Sequence, residues 1–182
     1  MGATTELAKV KASTAAEVCA RFNLKKEARQ LLRDGMRPGE FVHALLQNKQ
    51  YIASIDFLAY ALPPREAIWW GCLCLQHASG GNFSPEDRVA CKAAVQWIMH
   101  PTEENRAATE APAQAAGLAS QAGQLAMAAN QTGGTMAAPN APAKAVATAV
   151  KMASTNADPI KIGETQRSFV ELGIGVAEGR FR

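Results

Sequence analysis

The sequence contains no uninterrupted apolar run that approaches the roughly 18 residues needed to span a bilayer. Its first residues, MGATTELAKVKAS, have no apolar core of the kind found in secretory signals. Glu6 stands where a myristoylation motif has Ser or Thr. These absences predict a cytoplasmic protein that is not inserted into a membrane, and its four cysteines are therefore expected to be reduced thiols.

Charge is also limited. The 19 Lys and Arg residues and 16 Asp and Glu residues leave a net charge of only +3, which is too small to indicate a nucleic-acid or anionic-membrane partner. The densest basic stretch, residues 25–37, is interrupted by acidic residues and has no aromatic residue between its cations. We interpret it as a solvated helix face. Residues 107–160 carry only four charged side chains: Glu110, Lys144, Lys151 and Asp158.

Alternating strand patterns are absent, whereas signals for helix starts recur. Pro38, Pro64, the Ser84-Pro85 pair and Thr102 each precede a helical pattern. Further helices are predicted over 15–22, 24–34 and 50–61, with Ser13 and Asn23 as caps of the first two and a left-handed Gly35 after the second. The pattern predicts an all-α fold, an irregular bundle of stacked helical hairpins.

Composition divides the chain into three parts. Residues 1–12 are predicted to be a flexible N-terminus, and residues 13–106 a tryptophan-centred helical core. Residues 107–182 are predicted to form an Ala-rich helical half that packs on the first. This half includes the segment 131–142, which has paired glycines and two prolines and is expected to be an exposed loop.

The predicted helix over 85–100 has an unusual pattern. Its polar residues recur at intervals of four: Arg88, Lys92, Gln96 and His100. After the acidic first turn with Glu86 and Asp87, apolar residues, including Val89 and Met99, occupy the remaining positions. Such a helix is expected to be packed on several sides, and to form the centre of the domain together with residues 67–75.

Metal and catalytic sites are not favoured by the spacing of the reactive side chains. Cys72 and Cys74 precede His77, but residues two apart on a helix point about 200° away from each other. His43, His77 and His100 lie on three different predicted helices. The sequence therefore predicts no metal, no cofactor and no enzymatic activity, with an enzyme built from scattered residues as the alternative. The glycines of GIGVAEG, residues 173–179, are interpreted as small residues that permit close helix packing.

Two adjacent tryptophans, Trp69 and Trp70, diverge by about 100° on a helix. Two interpretations follow: both indoles belong to the core, or one fills the interior beside Trp97 and the other lies at the edge of a groove. Arg65 and Glu66, one turn earlier, would flank such a groove. The candidate partner-binding residues are Arg65, Glu66, Trp69 and Trp70, and the groove hypothesis places Trp70 at its edge.

Four segments carry a resemblance to a known family, and we call them the signature segments: FLAYALPPREAIWW (57–70), AVQWIMHPTEENRAA (94–108), GGTMAAPNAP (133–142) and FVELGIGVAEGRF (169–181). They resemble a family of uncharacterised bacterial proteins that pair a Leu-Pro-x-Arg-Glu-Ala-x-Trp-Trp signature with a Trp-x-x-x-Pro-x-Glu-Glu-x-Arg segment. The similarity covers most of residues 20–180, although the Gly-Gly loop has fewer prolines here than is usual in the family. Genes of such proteins often lie near type VI secretion loci, beside PAAR-type tip proteins and effector-loading adaptors. The resemblance therefore implies a role in loading secreted effectors, and it supplies no catalytic residues.

The sequence thus predicts a cytoplasmic adaptor or chaperone that binds a secreted effector, a PAAR-type tip protein or another adaptor. It would act by burying an apolar segment of the partner in a helix-lined groove. An immunity protein that neutralises a toxin is the main alternative, although such proteins usually rely on charge complementarity and the charges of this chain are nearly balanced.

Overall fold

The structure is a computed structural model that describes residues 6–133, 138–155 and 159–181. Within these ranges the chain is all-α, as predicted, and contains no β-strand. The helices are α1 (Ala15–Cys19), α2 (Lys26–Arg29), α3 (Pro38–Gln47), α4 (Tyr51–Ala61), α5 (Pro64–Ser79), α6 (Pro85–Met99), α7 (Glu103–Ala107), α8 (Glu110–Ala116), α9 (Gln121–Asn130), α10 (Ala141–Thr155) and α11 (Ile162–Ala177). A 3₁₀ turn at Pro159–Lys161 precedes α11.

Local signals set the starts of the middle helices. A proline occupies the first turn of α3, α5 and α6, where its missing N–H group is not needed. The Ser84 hydroxyl accepts a hydrogen bond from the Asp87 N–H at 3.1 Å, and the Thr102 hydroxyl accepts one from the Asn105 N–H at 3.2 Å. These four predicted starts are confirmed.

The first two helices are shorter than predicted. Thr14, and not Ser13, caps α1 by accepting a hydrogen bond from the Glu17 N–H. α2 ends at Arg29, and the chain turns back so that Met36 is buried and its carbonyl accepts the Ala15 N–H at 2.8 Å. Tertiary burial therefore outweighs the local helical preference of residues 30–34.

α5 lies in the centre of the fold and packs against α6, α9, α10 and α11. The largest fully buried side chains are Trp70, Phe41, Phe57 and Phe169. They join alanines and valines of α9 and α10 in one continuous hydrophobic core, so the two predicted halves share an interior. In the part of the chain that the structure describes, no helix combines the length and apolar character required to cross a membrane.

α6 differs from its prediction. Only one face is buried, through Ala90, Ala94, Trp97 and Ile98. Val89 and Met99, expected to be packed, are 55% and 60% exposed. The prediction that α6 is enclosed on several sides is wrong, because its helix neighbours α5, α7, α8 and α9 cover one side and leave the other to solvent.

The structure describes only parts of the predicted loop 131–142 and of the predicted flexible N-terminus. Ala141 and Pro142 belong to α10 and not to the loop predicted over 131–142, because a proline suits the first turn of a helix. Residues 134–137 of that loop, and residues 1–5 of the N-terminus predicted to be flexible, lie outside the described residues. Leu7 is buried, and the Lys9 N–H donates to the Ala177 carbonyl at 2.8 Å, so residues 7–9 are held against the end of α11.

Candidate functional site

The first turn of α5 presents Arg65 to the last turn of α6. Pro63 and Pro64 fix the start of α5, which places Arg65 and Glu66 in its first turn. The Arg65 Nε donates to the carbonyl of Ile98 at 2.7 Å. That carbonyl belongs to the last turn of α6, where carbonyls lack partners within the helix. The helix dipole places partial negative charge at this C-terminal end, which favours a cation. The exposed Arg65 therefore ties α5 to α6, and the half-buried Glu66 lies beside it.

Trp70 lies in the interior. Its side chain is 0% exposed, and its Nε1 donates to the Phe169 carbonyl of α11 at 2.8 Å. Gly173, one turn further along α11, makes room for the ring, since a Cβ atom there would lie 2.8 Å from both Trp70 Cε2 and Leu58 Cδ1. The hypothesis that Trp70 lines a groove is therefore corrected: a side chain without solvent exposure has no surface to offer a partner.

Trp69 is the indole nearer the surface. It is half-buried, and its Nε1 is shielded from solvent without a hydrogen-bond partner among the described residues. A shielded polar group of this kind costs about 1–3 kcal/mol when it stays unpaired. Trp70 thus lies inside and Trp69 packs on the core nearer the surface, and whether Trp69 borders a binding groove stays a hypothesis.

The second signature segment contains another tie. Arg106 binds the Glu103 carboxylate with two nitrogens, at 2.8 and 2.5 Å, and donates to the Asn130 carbonyl at 2.5 Å. A Cβ atom at Gly133 would lie 2.7 Å from Arg106 Cδ, so the chain passes close to this side chain at the glycine. Arg106 thereby fastens α7 to the end of α9.

These contacts join all four signature segments. Arg65 of the first segment binds the backbone of the second, Trp70 of the first binds that of the fourth, and Arg106 of the second packs on Gly133 of the third. The polar atoms that make these ties are therefore engaged in holding helices together. The Arg65, Trp70 and Arg106 hydrogen bonds span 33, 99 and 24 residues, respectively, which is why spacing along the sequence did not reveal them.

The cysteines have no activating environment. Burial raises the pKa of the Cys19 thiol to about 11, although Arg29 lowers it slightly, and burial with the nearby Asp87 raises that of Cys91 to about 11. Burial also raises the pKa of Cys72 and of Cys74 above its ordinary value. Because the thiolate is the nucleophile and the metal ligand, these four thiols are poor candidates for either role at neutral pH.

The histidines are not brought together. His43 lies on α3, His77 on α5, and His100 directly after α6, and all three are exposed. The His77 ring packs edge-on against Phe169, with ring centroids 5.9 Å apart. Over the ranges that the structure describes, no group of three or more His, Cys, Asp or Glu side chains is arranged to hold a metal ion.

An open depression of about 630 Å³ lies at the N-terminal ends of α6 and α9. Ser120, which lines this depression, caps the start of α9 by accepting a hydrogen bond from the Gly123 N–H at 3.1 Å. Its hydroxyl also donates to the Asp87 carboxylate. Ser84 accepts the Asp87 N–H in the same way. None of the three histidines lines this depression.

Two of the exposed large apolar side chains lie on the solvent side of α6, a surface that sequence reasoning missed. We call it the outer face of α6, and its exposed members are Arg88, Val89, Lys92, Gln96, Met99 and His100. On a helical wheel Val89 falls between Gln96 and His100, and Met99 between Arg88 and Lys92. The polar stripe was therefore a sufficient signal that both apolar residues point outward. Leu118, 59% exposed, lies two residues before Ser120, whose bond to Asp87 brings this turn to the first turn of α6.

The chain belongs to a family of unknown function, DUF6931, which matches residues 41–177. The matched range begins within α3 and ends with α11, so it contains the three ties and the whole of α6. No curated protein and no solved structure matches the chain.

Proposed function

We propose that this member of the DUF6931 family is a non-enzymatic cytoplasmic adaptor or chaperone that helps to load or stabilise a type VI secretion effector or tip protein. The observation that carries the proposal is that two large apolar side chains are exposed at opposite ends of the outer face of α6, with a third on the neighbouring turn. Val89 and Met99 lie on its outer face, and Leu118 lies at its N-terminal end. The secretion context comes from the resemblance of the four signature segments.

Exposed apolar residues of this size are typical of interaction surfaces when they cluster, whereas single ones need no explanation. Their position supports protein binding because a partner helix or strand laid along α6 would remove them from water. Covering the 55% and 60% of these two side chains that is still exposed contributes on the order of 1–2 kcal/mol each. The function would thus be stoichiometric binding of an apolar segment.

Three of the four residues of the groove hypothesis lie beside the outer face of α6. Arg65 binds the Ile98 carbonyl, and Met99 is the next residue, so the edge formed by the exposed Arg65 and the half-buried Glu66 and Trp69 adjoins the C-terminal end of the outer face. These three residues remain candidates for partner contact. Trp70 acts only through the core.

The proposal is tested by affinity purification of the tagged protein from its native cell after mild chemical crosslinking, with mass spectrometry. The wild type is expected to capture a secreted effector or a tip protein, and the Val89→Asp/Met99→Asp variant is expected to lose it. The matched control is Gln30→Asp/Gln47→Asp, which adds the same charge at two exposed positions, one directly after α2 and one at the end of α3. Capture of no secretion protein by the wild type would contradict the proposed function.

Co-expression with a toxin encoded beside the gene separates the adaptor from an immunity protein. An adaptor leaves the cells unprotected, since it does not block the toxic site. Survival of the co-expressing cells would replace the adaptor proposal by the immunity alternative.

A further inference from the structure

We infer that the outer face of α6 docks an acidic amphipathic helix of the partner protein. The inference rests on the proposed function for the existence of a protein partner. It adds the surface, the secondary structure and the charge of the segment that is bound.

The charge of the outer face indicates the charge to expect of the partner segment. The outer face carries Arg88 and Lys92 and no Asp or Glu. Neither cation has an ion-pair partner within the described residues, in contrast to Lys151, which pairs with Asp56 at 2.7 Å, and Arg106, which pairs with Glu103. Unpaired cations beside exposed apolar groups favour a partner with carboxylates, because complementary charges fix orientation and suppress wrong partners.

Acidic groups border this face at both ends: Glu86 and Asp87 at the start of α6, and Glu66 and Glu103 near its C-terminal end. Asp87 is half-buried and accepts a hydrogen bond from Ser120, which holds it away from the outer face. Glu86 lies on the flank of the helix, about 60° from Val89. The face itself therefore remains basic.

Geometry determines the shape of the partner. Arg88 and Met99 are eleven residues apart, so the outer face runs straight for about 16 Å, or three turns. Val89 and Met99 lie near its two ends, with the half-buried Ala93 between them at the edge. A ridge of this length suits a second helix lying along it, with apolar residues at i, i+3 or i+4, and i+7 and acidic residues beside them.

A nucleic acid fits the same face less well. A duplex carries one negative charge per about 1.7 Å of its axis, and three turns of α6 offer only two full cations. Val89 and Met99 interrupt these cations and would face phosphates without any apolar partner. A protein helix satisfies both the charged and the apolar groups.

The test uses the full chain and two synthetic helical peptides of about four turns. Both peptides carry the same leucines at i, i+3 or i+4, and i+7, and differ only in having Glu or Lys at the flanking positions. Isothermal titration calorimetry at low and high salt is expected to give at least roughly tenfold tighter binding of the Glu peptide at low salt, with the preference reduced at high salt.

Two variants locate the binding. Arg88→Glu/Lys92→Glu is expected to bind the Glu peptide at least about tenfold more weakly and to prefer the Lys peptide. Lys25→Glu/Lys26→Glu is the matched control, because it makes the same change in net charge at two exposed positions of α2 and its preceding turn. It is expected to bind as the wild type does.

Several results would overturn the inference. They are no binding of the Glu peptide, equal binding of both peptides, and equal effects of the two charge reversals. Binding of anionic lipid vesicles that depends on Arg88 and Lys92, without peptide binding, would assign the face to a membrane surface. A dimer in sedimentation that Val89→Asp/Met99→Asp dissociates would assign it to a second copy of the chain.

Failure here is distinguishable from failure of the proposed function. If purification from the cell captures a secretion partner equally well with wild type and with Arg88→Glu/Lys92→Glu, the adaptor function stands and this surface is wrong. If no secretion partner is captured while the Glu peptide binds at α6, the surface stands and the secretion role is wrong.

Discussion

Helices α3–α5 and helices α8–α10 contribute to one core, the first with large side chains and the second with small ones. In the first region the interior is filled by large side chains, and Phe41 and Phe57 pack edge to face with ring centroids 5.1 Å apart. In the second region most buried residues are alanines, such as Ala126 and Ala149, so the helices approach through their backbones. A buried alanine removes little apolar surface from water, and close approach compensates by increasing the number of contacts.

The difference lies in what each region tolerates. A core of large side chains loses stability when atoms are removed, because a cavity remains. A core of small residues loses stability when atoms are added, because the backbones have nowhere to move. The large-residue and small-residue regions meet at α5. There Gly71 faces Leu125 of α9 so closely that a Cβ atom would overlap the leucine side chain.

The largest effect is expected from Trp70→Ala in the large-residue region. It removes a fully buried indole and its 2.8 Å hydrogen bond to the Phe169 carbonyl, at a cost of roughly 4 kcal/mol in the free energy of unfolding. Urea denaturation followed by circular dichroism measures the cost. The counterpart Ala126→Gly in α9 should cost only about 1 kcal/mol. A loss below about 1 kcal/mol for Trp70→Ala would contradict the proposed importance of cavities in this region.

The small-residue region should respond most to Gly123→Ala. The added Cβ atom would overlap the backbone carbonyl oxygen of Gly117, which has no flexible end to swing aside. We expect a loss of about 2–3 kcal/mol in the free energy of unfolding. Gly163→Ala in α11 is the control, since no atom lies within 4 Å of the added Cβ, and it should be neutral or slightly stabilising. Equal effects of the two substitutions would show that steric room does not decide the outcome.

Gly173 brings both kinds of packing into one contact, because it is a small residue that accommodates a large one. Gly173→Ala should cost about 2 kcal/mol, since the new methyl group meets Trp70 Cε2 at 2.8 Å. Phenylalanine has one smaller ring in place of the fused pair and more room to shift, so the cost should fall in the Trp70→Phe background. A double-mutant cycle on thermal or urea unfolding measures this coupling, and strictly additive effects would refute the contact.

Substituting phenylalanine for each of the two neighbouring tryptophans should have smaller and unequal effects on the free energy of unfolding. Trp69→Phe removes an unpaired N–H group, which is stabilising, and also part of a ring packed on the core, which is destabilising, so the two effects should offset to a net change below about 1 kcal/mol in the free energy of unfolding. Trp70→Phe removes a bonded N–H group and should cost more. Denaturation of the two single variants under the same conditions tests the order, and a larger loss at Trp69 would reverse our assignment of inner and outer indole.

The smallest effect is a pH dependence in α3. The Arg37 backbone N–H donates to the Glu40 carboxylate at 2.8 Å, and this hydrogen bond, assisted by the Arg37 side chain, lowers the pKa of Glu40 below 4.5. A lowered pKa in the folded state stabilises the protein above the ordinary value, and this contribution disappears as the pH falls through the lowered value. The difference in melting temperature between wild type and Glu40→Gln should therefore shrink below about pH 4.5. A difference that grows on acidification would contradict this.

The sequence predicted those features that a few adjacent residues determine. Pro38, Pro64 and Ser84 mark helix starts because the missing N–H group of proline and the hydroxyl of serine act within one turn. The partners of Arg65 and Trp70 could not be predicted in this way, because they are backbone carbonyls of distant helices whose positions depend on the whole bundle.

The candidate surface could have been predicted better than it was. The apolar count of α6 indicated a buried helix, whereas the angular positions of Val89 and Met99 within the polar stripe indicated exposure. Which of the two indoles lies inside was beyond the sequence, since it depends on how α5 is rotated against Gly173 of α11.

The unequal shielding of the three tryptophans gives the protein an intrinsic optical reporter. Trp70 and Trp97 are 0% and 7% exposed, so their emission is insulated from solvent, whereas Trp69 is only half-buried and lies beside the tie between α5 and α6. The red-shifted and iodide-quenchable part of the fluorescence should therefore come from Trp69. A ligand that covers the end of α6 can then be followed without any added dye.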